Sequence, residues 1–399
     1  MNIIVIGAGY GGITAALRLA RLFRKQPTCI IHLVDRNPYH TLKTQLHEAA
    51  VLGAEVTIPI ERIIRNRNIR FHLGNVESID LDCHLLRVGE LPLPFDYLVF
   101  ALGSQVNFYD IPGLEEYSFP LQSVADAQRI YQHIDTLCNL AARELPSDRR
   151  QAMLRFVIGG GGLSGVEFAT ELAGRVPLCT PGSKELAPLP VEVILIEGAE
   201  RILSTMAADM VAHIERKLHD QGIRILTNTF ITSLSPEKVA LSTGEAIETR
   251  TLIWTGGIQV KRLAGASGLA AGAMGRIIVD AFLRAESHPG IYAIGDNALA
   301  SNPETGNPVP AAAQFALQQG RLVADNIYSA VTGGKQKPYT PKVLGEIVSL
   351  GRHLAVGWMA LPFFKKITFI GFLARLLKTA SQEKHIFLLR KESRHWISY

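Results

Sequence analysis

Two sets of glycines in this chain share one spacing. Gly7, Gly9 and Gly12 form G-x-G-x-x-G in "GAGYGG", and Gly160, Gly162 and Gly165 repeat it in "GGGGLSG". At this spacing the first glycine permits a tight turn, the second lets the backbone approach a pyrophosphate, and the third lets a helix pack closely on a strand. The N–H groups that open the helix then face the phosphates. Each set is followed by an acid at a strand end: Asp35, 23 residues past Gly12, and Glu197, 32 residues past Gly165. A carboxylate there accepts hydrogen bonds from an adenosine ribose and repels a 2′-phosphate. Glu197 therefore favours NADH over NADPH, although Arg201 close by leaves NADPH open. Two such turns imply two different dinucleotides.

Other residues carry chemistry at helical or strand-end positions. Asp296, in "GIYAIGDNA", stands at the C-terminal end of a strand, the edge at which open α/β sheets bind ligands. It either bonds a ribityl hydroxyl or caps a helix over "NALA". Gln314 and Gln318, in "PAAAQFALQQG", share one face of a helix that is otherwise small and apolar. Buried amides need hydrogen-bond partners, so two on one face suggest a ligand or buried backbone. Glu167 and Glu171, in "GVEFATE", also lie four apart, with Glu171 directed deeper and Glu167 placed to bond loop backbone near the glycine turn. His47 and Glu48, in "TQLHEAA", are candidates for proton delivery, with an ordinary core or surface histidine as the alternative.

Parallel strands and crossover helices must position these groups. The apolar run Ile3 to Ile6 reads as a buried parallel strand, followed by a helical pattern through Ile13, Leu17 and Leu19. "IIHLVD" is the next strand, ending at Asp35. The same order recurs in Phe156 to Ile158, the helix through Val166, Phe168 and Leu172, and "VEVILIE". Between the last two lies "RVPLCTPGSKELAPLP", whose Pro and Gly content reads as an inserted loop. The expected class is α/β with two Rossmann-like domains. A chain of 399 residues with 47% apolar and 19% charged residues is long enough for two or three domains. Its four cysteines are scattered with no CxxC pair, so neither zinc nor a redox dithiol is expected. Strand-like residues begin at Asn2, so no leader is expected, and no apolar stretch is long enough to span a bilayer.

These motifs together resemble two-dinucleotide-binding-domain flavoproteins, and more narrowly the type II NADH dehydrogenases, which are non-pumping NADH:quinone oxidoreductases. The likeness rests on "GAGYGG", "YLVFALGS" with "IPGLEEYSFPL", "GGGGLSGVEFATEL", "RIL" after Glu197, "IWTGG", "IYAIGD" and "AAAQFALQQG". It implies an FAD-binding domain in two parts, 1–116 and 257–330, with an NADH-binding domain, 117–256, inserted between them. FAD falls to Gly7, Gly9, Gly12, Asp35, Gly103, Asp296 and Ala313; NADH falls to Gly160, Gly162, Gly165, Glu197 and Gly256. The resemblance also assigns Glu171 to nicotinamide placement, and Gln314 and Gln318 to the flavin border where a quinone enters. The implied route is ping-pong through reduced flavin. "HTLKTQLHEAA" lacks the CxxxxC of disulfide reductases, and no cysteine follows Cys179 to serve sulfide chemistry. Reduction of ferredoxin, a disulfide or a phylloquinone precursor remains open, as does a flavin redox sensor.

Residues 331–399 carry twelve Lys/Arg against three Asp/Glu, on a body that is slightly acidic. The resemblance implies a peripheral protein on the cytoplasmic face of a prokaryotic membrane, attached by this segment. In "ITFIGFLARLLKTA", Phe369, Phe372, Leu373, Leu376 and Leu377 follow helical spacing, with Thr368, Gly371, Arg375 and Lys378 opposite. Such a helix can lie in the interface with its basic face toward anionic headgroups. A helix packed on the body, or a homodimer contact, is the alternative. Nucleic acid is excluded as a partner because the bases share a strongly apolar helix and no recognition module is present. Trp396 and Tyr399 add residue types favoured at membrane interfaces.

Overall fold

The structure is a computed structural model and describes residues 1–65, 67–141, 147–175, 191–260, 268–286, 288–361 and 364–393. The expected inserted loop, Cys179, Trp396 and Tyr399 lie outside these residues. The chain opens with strand β1 (Asn2–Ile6), helix α1 (Tyr10–Leu22), β2 (Ile30–Asp35), α2 (Leu46–Leu52), β3 (Ile69–Leu73) and β4 (Tyr97–Phe100). A second unit follows: β5 (Phe119–Pro120), β6 (Arg155–Gly159), α3 (Leu163–Arg175), β7 (Glu192–Ile196), β8 (Ile223–Leu226) and β9 (Thr251–Trp254). The chain then supplies β10 (Ile291–Ala293) and α4 (Ala313–Thr332). It ends with β11 (Gly345–Ser349), β12 (Ala355–Leu361), β13 (Phe364–Gly371) and α5 (Phe372–Ser393).

Two five-stranded sheets result, ordered β10-β4-β1-β2-β3 and β5-β9-β6-β7-β8. Every pairing in both is parallel. Ile3 to Ile6 and Phe156 to Ile158 are fully buried, as the apolar runs require of strands covered on both faces. Because β10 joins β4 in the first sheet, the second sheet is an insertion between two parts of the first.

Small residues bring α1 and α4 unusually close. A Cβ on Gly320 would collide with the Gly11 carbonyl oxygen, and Ala316 also lies against Gly11. The Ala/Gly content of "PAAAQFALQQG" therefore serves packing on the first glycine-turn helix.

The C-terminal segment departs from expectation. "FKKITFIG" is a strand, with Gly357, Val356 and Trp358 of β12 opposite Phe369, Ile370 and Thr368. Its β-branched and aromatic residues suit a pleated surface, and pairing satisfies the backbone. The helical spacing from Phe369 to Phe372 spans the strand–helix junction, since α5 begins only at Phe372.

Candidate functional site

The two glycine turns have the same geometry. Gly7 and Gly160 adopt φ of +101° and +111°, where an L side chain is strained. Their N–H groups donate to Val34 O at 2.7 Å and Ile196 O at 2.8 Å, closing each turn onto the next strand. Side chains at Gly12 or Gly165 would strike the carbonyl of Gly7 or Gly160, whereas a Cβ at Gly9 or Gly162 would meet nothing within 4 Å. The open side is where a pyrophosphate can approach. No side chain caps α1 at Gly9, which leaves its opening N–H groups for an anion.

Each acid is held by its own turn. Asp35 accepts from Ala8 N at 2.7 Å and Asn37 N at 2.8 Å. Glu197 accepts from Gly161 N at 2.7 Å and Ala199 N at 2.8 Å. The carboxylates are thereby fixed beside the turn, with further lone pairs for ribose hydroxyls. Arg201 donates to Ser204 O at 3.0 Å. Gly256 sits directly against Gly160, so the end of β9 forms the far wall of the second turn.

The other first-sheet residues converge on one edge. Asp296 accepts from the Ser104 hydroxyl at 2.8 Å. Gly103, at φ +69°, donates to Asn297 Oδ1 at 3.0 Å, and Asn297 Nδ2 donates back to Gly103 O at 3.2 Å. Gly295 to Asn297 is one short turn followed by strand Ala298–Leu299, so Asp296 caps no α-helix. Lys43 is exposed, yet surrounding protein desolvates its ammonium. That desolvation lowers its pKa, opposed by nearby Asp296 and Asp35 and reinforced by Arg36. Ala313 is the first residue of α4, whose N-terminus also has no side-chain cap.

A buried charged cluster joins four elements. Glu167 Oε1 accepts from Ser349 N at 3.0 Å, from Ser349 Oγ at 3.1 Å and from Lys378 Nζ. Lys378 Nζ also reaches Ser349 Oγ at 2.6 Å. Glu167 Oε2 lies 3.5 Å from His47 Nδ1, and His47 Nε2 has no hydrogen-bond partner. Arg375 pairs with Glu48 at 3.4 Å. Burial pushes the Glu167 carboxyl up, but Lys378, His47 and the hydrogen bonds outweigh it and leave it below its ordinary range. Burial pushes His47 down, with Glu167 opposing. Glu171 is 2% exposed, and its Oε1 has no hydrogen-bond partner. Its pKa is raised by burial first and by Glu48 second, against Arg375, Arg352 and Lys378. The pKa values of two carboxyls one turn apart are thus pushed in opposite directions.

Several expectations need correction. Glu167 bonds β11 and α5, with its partners at Ser349 and Lys378 rather than on the glycine-turn loop. Gln314 and Gln318 turn to backbone: Gln314 accepts from Leu344 N at 3.0 Å and donates to Gly345 O at 3.4 Å. Gln318 accepts from Lys342 N at 2.9 Å and donates to Lys342 O at 2.8 Å. Both amides strap the segment 342–345 to α4, while each keeps one N–H free of these bonds. Arg375 and Lys378 face inward, reversing the expected basic outer face.

Sequence reasoning missed Gln319, 1% exposed, which accepts from Gly295 N at 2.6 Å and so ties α4 to the Asp296 turn. It also missed Lys43, Ser104, Asn297 and Ser349. Only "QQG" offered a signal, because Gln319 shares a helix face with Phe315 and Ala316.

Comparison with known proteins fits this geometry. Residues 1–320 match the pyridine nucleotide-disulphide oxidoreductase family. The chain belongs to this family. Among curated members, it is 28% identical over 364 residues to a type II NADH:quinone oxidoreductase of Staphylococcus epidermidis, covering 89% of each chain. It is 29% identical over 370 residues to one from Staphylococcus aureus, again covering 89% of each. Among solved structures, NDH2 from Plasmodium falciparum in complex with NADH shares the fold at TM-score 0.84 and 18% identity, covering 98% of both chains. The sulfide:quinone oxidoreductase of Aquifex aeolicus shares it at TM-score 0.79 and 22% identity, covering 98% of this chain and 92% of that one.

Proposed function

We propose that this chain is a type II NADH:quinone oxidoreductase, a flavoenzyme that oxidises NADH and reduces a membrane quinone without pumping protons. The carrying observation is the pair of equivalent dinucleotide turns, in two units whose helices α2 and α3 meet at the His47–Glu167 contact. Similarity to named NADH:quinone oxidoreductases over 89% of the chain supports the donor and acceptor. The first turn, with Asp35, Gly103, Asp296 and Ala313, is suited to FAD, and the second, with Glu197 and Gly256, to NADH. Bound FAD supplies hydride acceptance and onward electron release. The protein positions the partners and handles the proton. Glu167, held ionised by Lys378, orients His47 through Oε2, and His47, with no hydrogen bond at Nε2, is the neighbour placed for proton relay. Glu171, pushed toward its protonated form, stands one turn away as a reserve donor. Gln314 and Gln318 hold segment 342–345 over the start of α4, leaving one N–H each for a quinone carbonyl.

Membrane attachment belongs to the same reading. No helix among the described residues is long and apolar enough to cross a bilayer. Phe372, Leu373 and Leu376 are exposed at the start of α5, with Phe372 71% accessible. Ile370 and Leu354 are exposed close by, since Ala355 and Gly371 are paired in register. This apolar edge supports insertion into the interface at the end of the molecule where Arg375 and Lys378 reach the Glu167 cluster.

The test is direct. Purified protein is yellow, NADH bleaches it without oxygen, and a soluble quinone restores the colour. Flavin that NADH leaves oxidised rejects the donor; rapid bleaching with no reoxidation by any quinone, but by ferredoxin, moves the acceptor.

A further inference from the structure

Phe230 is an aromatic side chain held in an exposed position. It follows β8 and is 61% accessible, while Thr229 and Ile231 on either side are buried. Its backbone is fixed on both sides, since Phe230 N donates to Ser242 Oγ at 3.0 Å and Phe230 O accepts from Ser242 N at 2.8 Å. The loop that carries it is strapped to the segment bearing the ribose acid. Asn228 N donates to Ala199 O at 2.9 Å, and Thr229 N donates to Glu197 O at 3.1 Å. The ring itself lies across Gly198, where any Cβ would collide with it. One edge of the phenyl group thus rests on the residue next to Glu197, and the rest of its surface faces outward.

A fixed, exposed phenyl ring is costly to leave in water unless something covers it. Its location narrows what that is. Glu197 is positioned for a ribose at the second turn, and the group bonded to that ribose on the side away from the pyrophosphate is a purine. Aromatic rings stack on nucleobases readily because every base presents a π face.

We propose that Phe230 is the adenine-stacking residue of the second dinucleotide site. The proposal rests on the reading that this site takes NADH. It makes Phe230 a binding residue distant from hydride transfer, so it acts on the adenylate half of the ligand alone.

The experiment uses FAD-loaded enzyme and two donors, NADH and reduced nicotinamide mononucleotide, which lacks the adenylate. Calorimetric titration with ADP-ribose reads the same contact without turnover. In Phe230→Ala, ADP-ribose affinity falls about tenfold, and the preference for NADH over the mononucleotide in kcat/KM falls by a similar factor. Phe230→Trp restores both. An unchanged ADP-ribose affinity and donor preference in Phe230→Ala overturns the proposal, as does full restoration by Phe230→Leu, which fills the space without a π face. Wild-type enzyme that binds no ADP-ribose and is not bleached by NADH rejects the NADH reading itself, a result separable from failure of the Phe230 assignment.

Discussion

Glu167 and Glu171 stand one helical turn apart, and their spacing puts both on one face of α3. Their neighbours separate them. Glu167 is compensated by Lys378, Ser349 and His47, whereas Glu171 has an unpartnered oxygen and a nearby like charge in Glu48. Removing one partner of a buried pair leaves the other uncompensated, which costs about 3–5 kcal/mol. Lys378→Met is therefore expected to destabilise the protein by that order in denaturant unfolding, and Glu167→Gln added to it recovers most of the loss. Equal stability of the two variants argues against a compensated ion pair. At the second turn, Glu197→Ala removes the acid fixed by Gly161 N and Ala199 N. KM for NADH is expected to rise about tenfold or more, with the flavin retained, since a hydrogen bond to a charged group contributes roughly 1.5–3 kcal/mol. Flavin release on this substitution exchanges the roles of the two sites. These assignments were only partly legible in the residues. The glycines and acids were, because local backbone geometry demands them; the partners of Glu167 were not, because Ser349 and Lys378 come from remote segments.

Elements decide which face of a residue pattern is used. Of "ITFIGFLARLLKTA", only the part from Phe372 is helical, and its basic side chains turn to the opposite side from the one expected. The half-buried Glu48 on α2 and the buried Glu167 on α3 draw Arg375 and Lys378 inward, and Phe372, Leu373 and Leu376 are left outside. This changes how attachment is best tested, because deleting α5 would also strip Glu167 of its ammonium partner. Changing Phe372, Leu373 and Leu376 together to Ser leaves that pair intact. The triple variant is expected to move from the membrane fraction to the supernatant in vesicle sedimentation, with soluble-quinone reduction largely retained. Continued cosedimentation with neutral and anionic vesicles removes this edge as the anchor. Close packing of α1 and α4 is similarly specific: Gly320→Ala places a methyl on the Gly11 carbonyl and is expected to cost about 1–3 kcal/mol in a thermal or denaturant melt.

The whole molecule is tied together by contacts that no single domain contains. His385 on α5 meets His40 of the short strand Tyr39–Thr41 at 3.0 Å, and His40 bonds Ala8 O, in the first glycine turn, at 2.8 Å. Tyr10 packs against both rings. Burial, with His40 and Arg321 adding to it, lowers the pKa of His385 to about 3. Burial also lowers that of His40, against Ala8 O and Asp35. A depressed histidine pKa means that the unfolded chain binds the proton more readily. The contribution of the neutral pair is complete above about pH 6.5 and is lost progressively as pH falls toward 3. At pH 5 the loss from His385 is about 2 kcal/mol by the same linkage. Stability of wild type should thus fall more than that of His385→Gln between pH 7 and pH 5 in parallel denaturant melts; identical pH slopes exclude this linkage.

The sequence by itself determined the two parallel strand–helix units, their glycine turns and the acids at their strand ends. Those features follow from hydrophobic period and from backbone conformations few residues can adopt, and both are local. Tertiary structure alone decided which of the two glutamates gains a buried cationic partner, that Gln314 and Gln318 clamp a loop, that the basic face of α5 points inward and that Phe230 lies beside Glu197. Each of these depends on side chains distant in sequence competing for the same buried polar partners, and spacing along the chain does not encode the outcome of that competition.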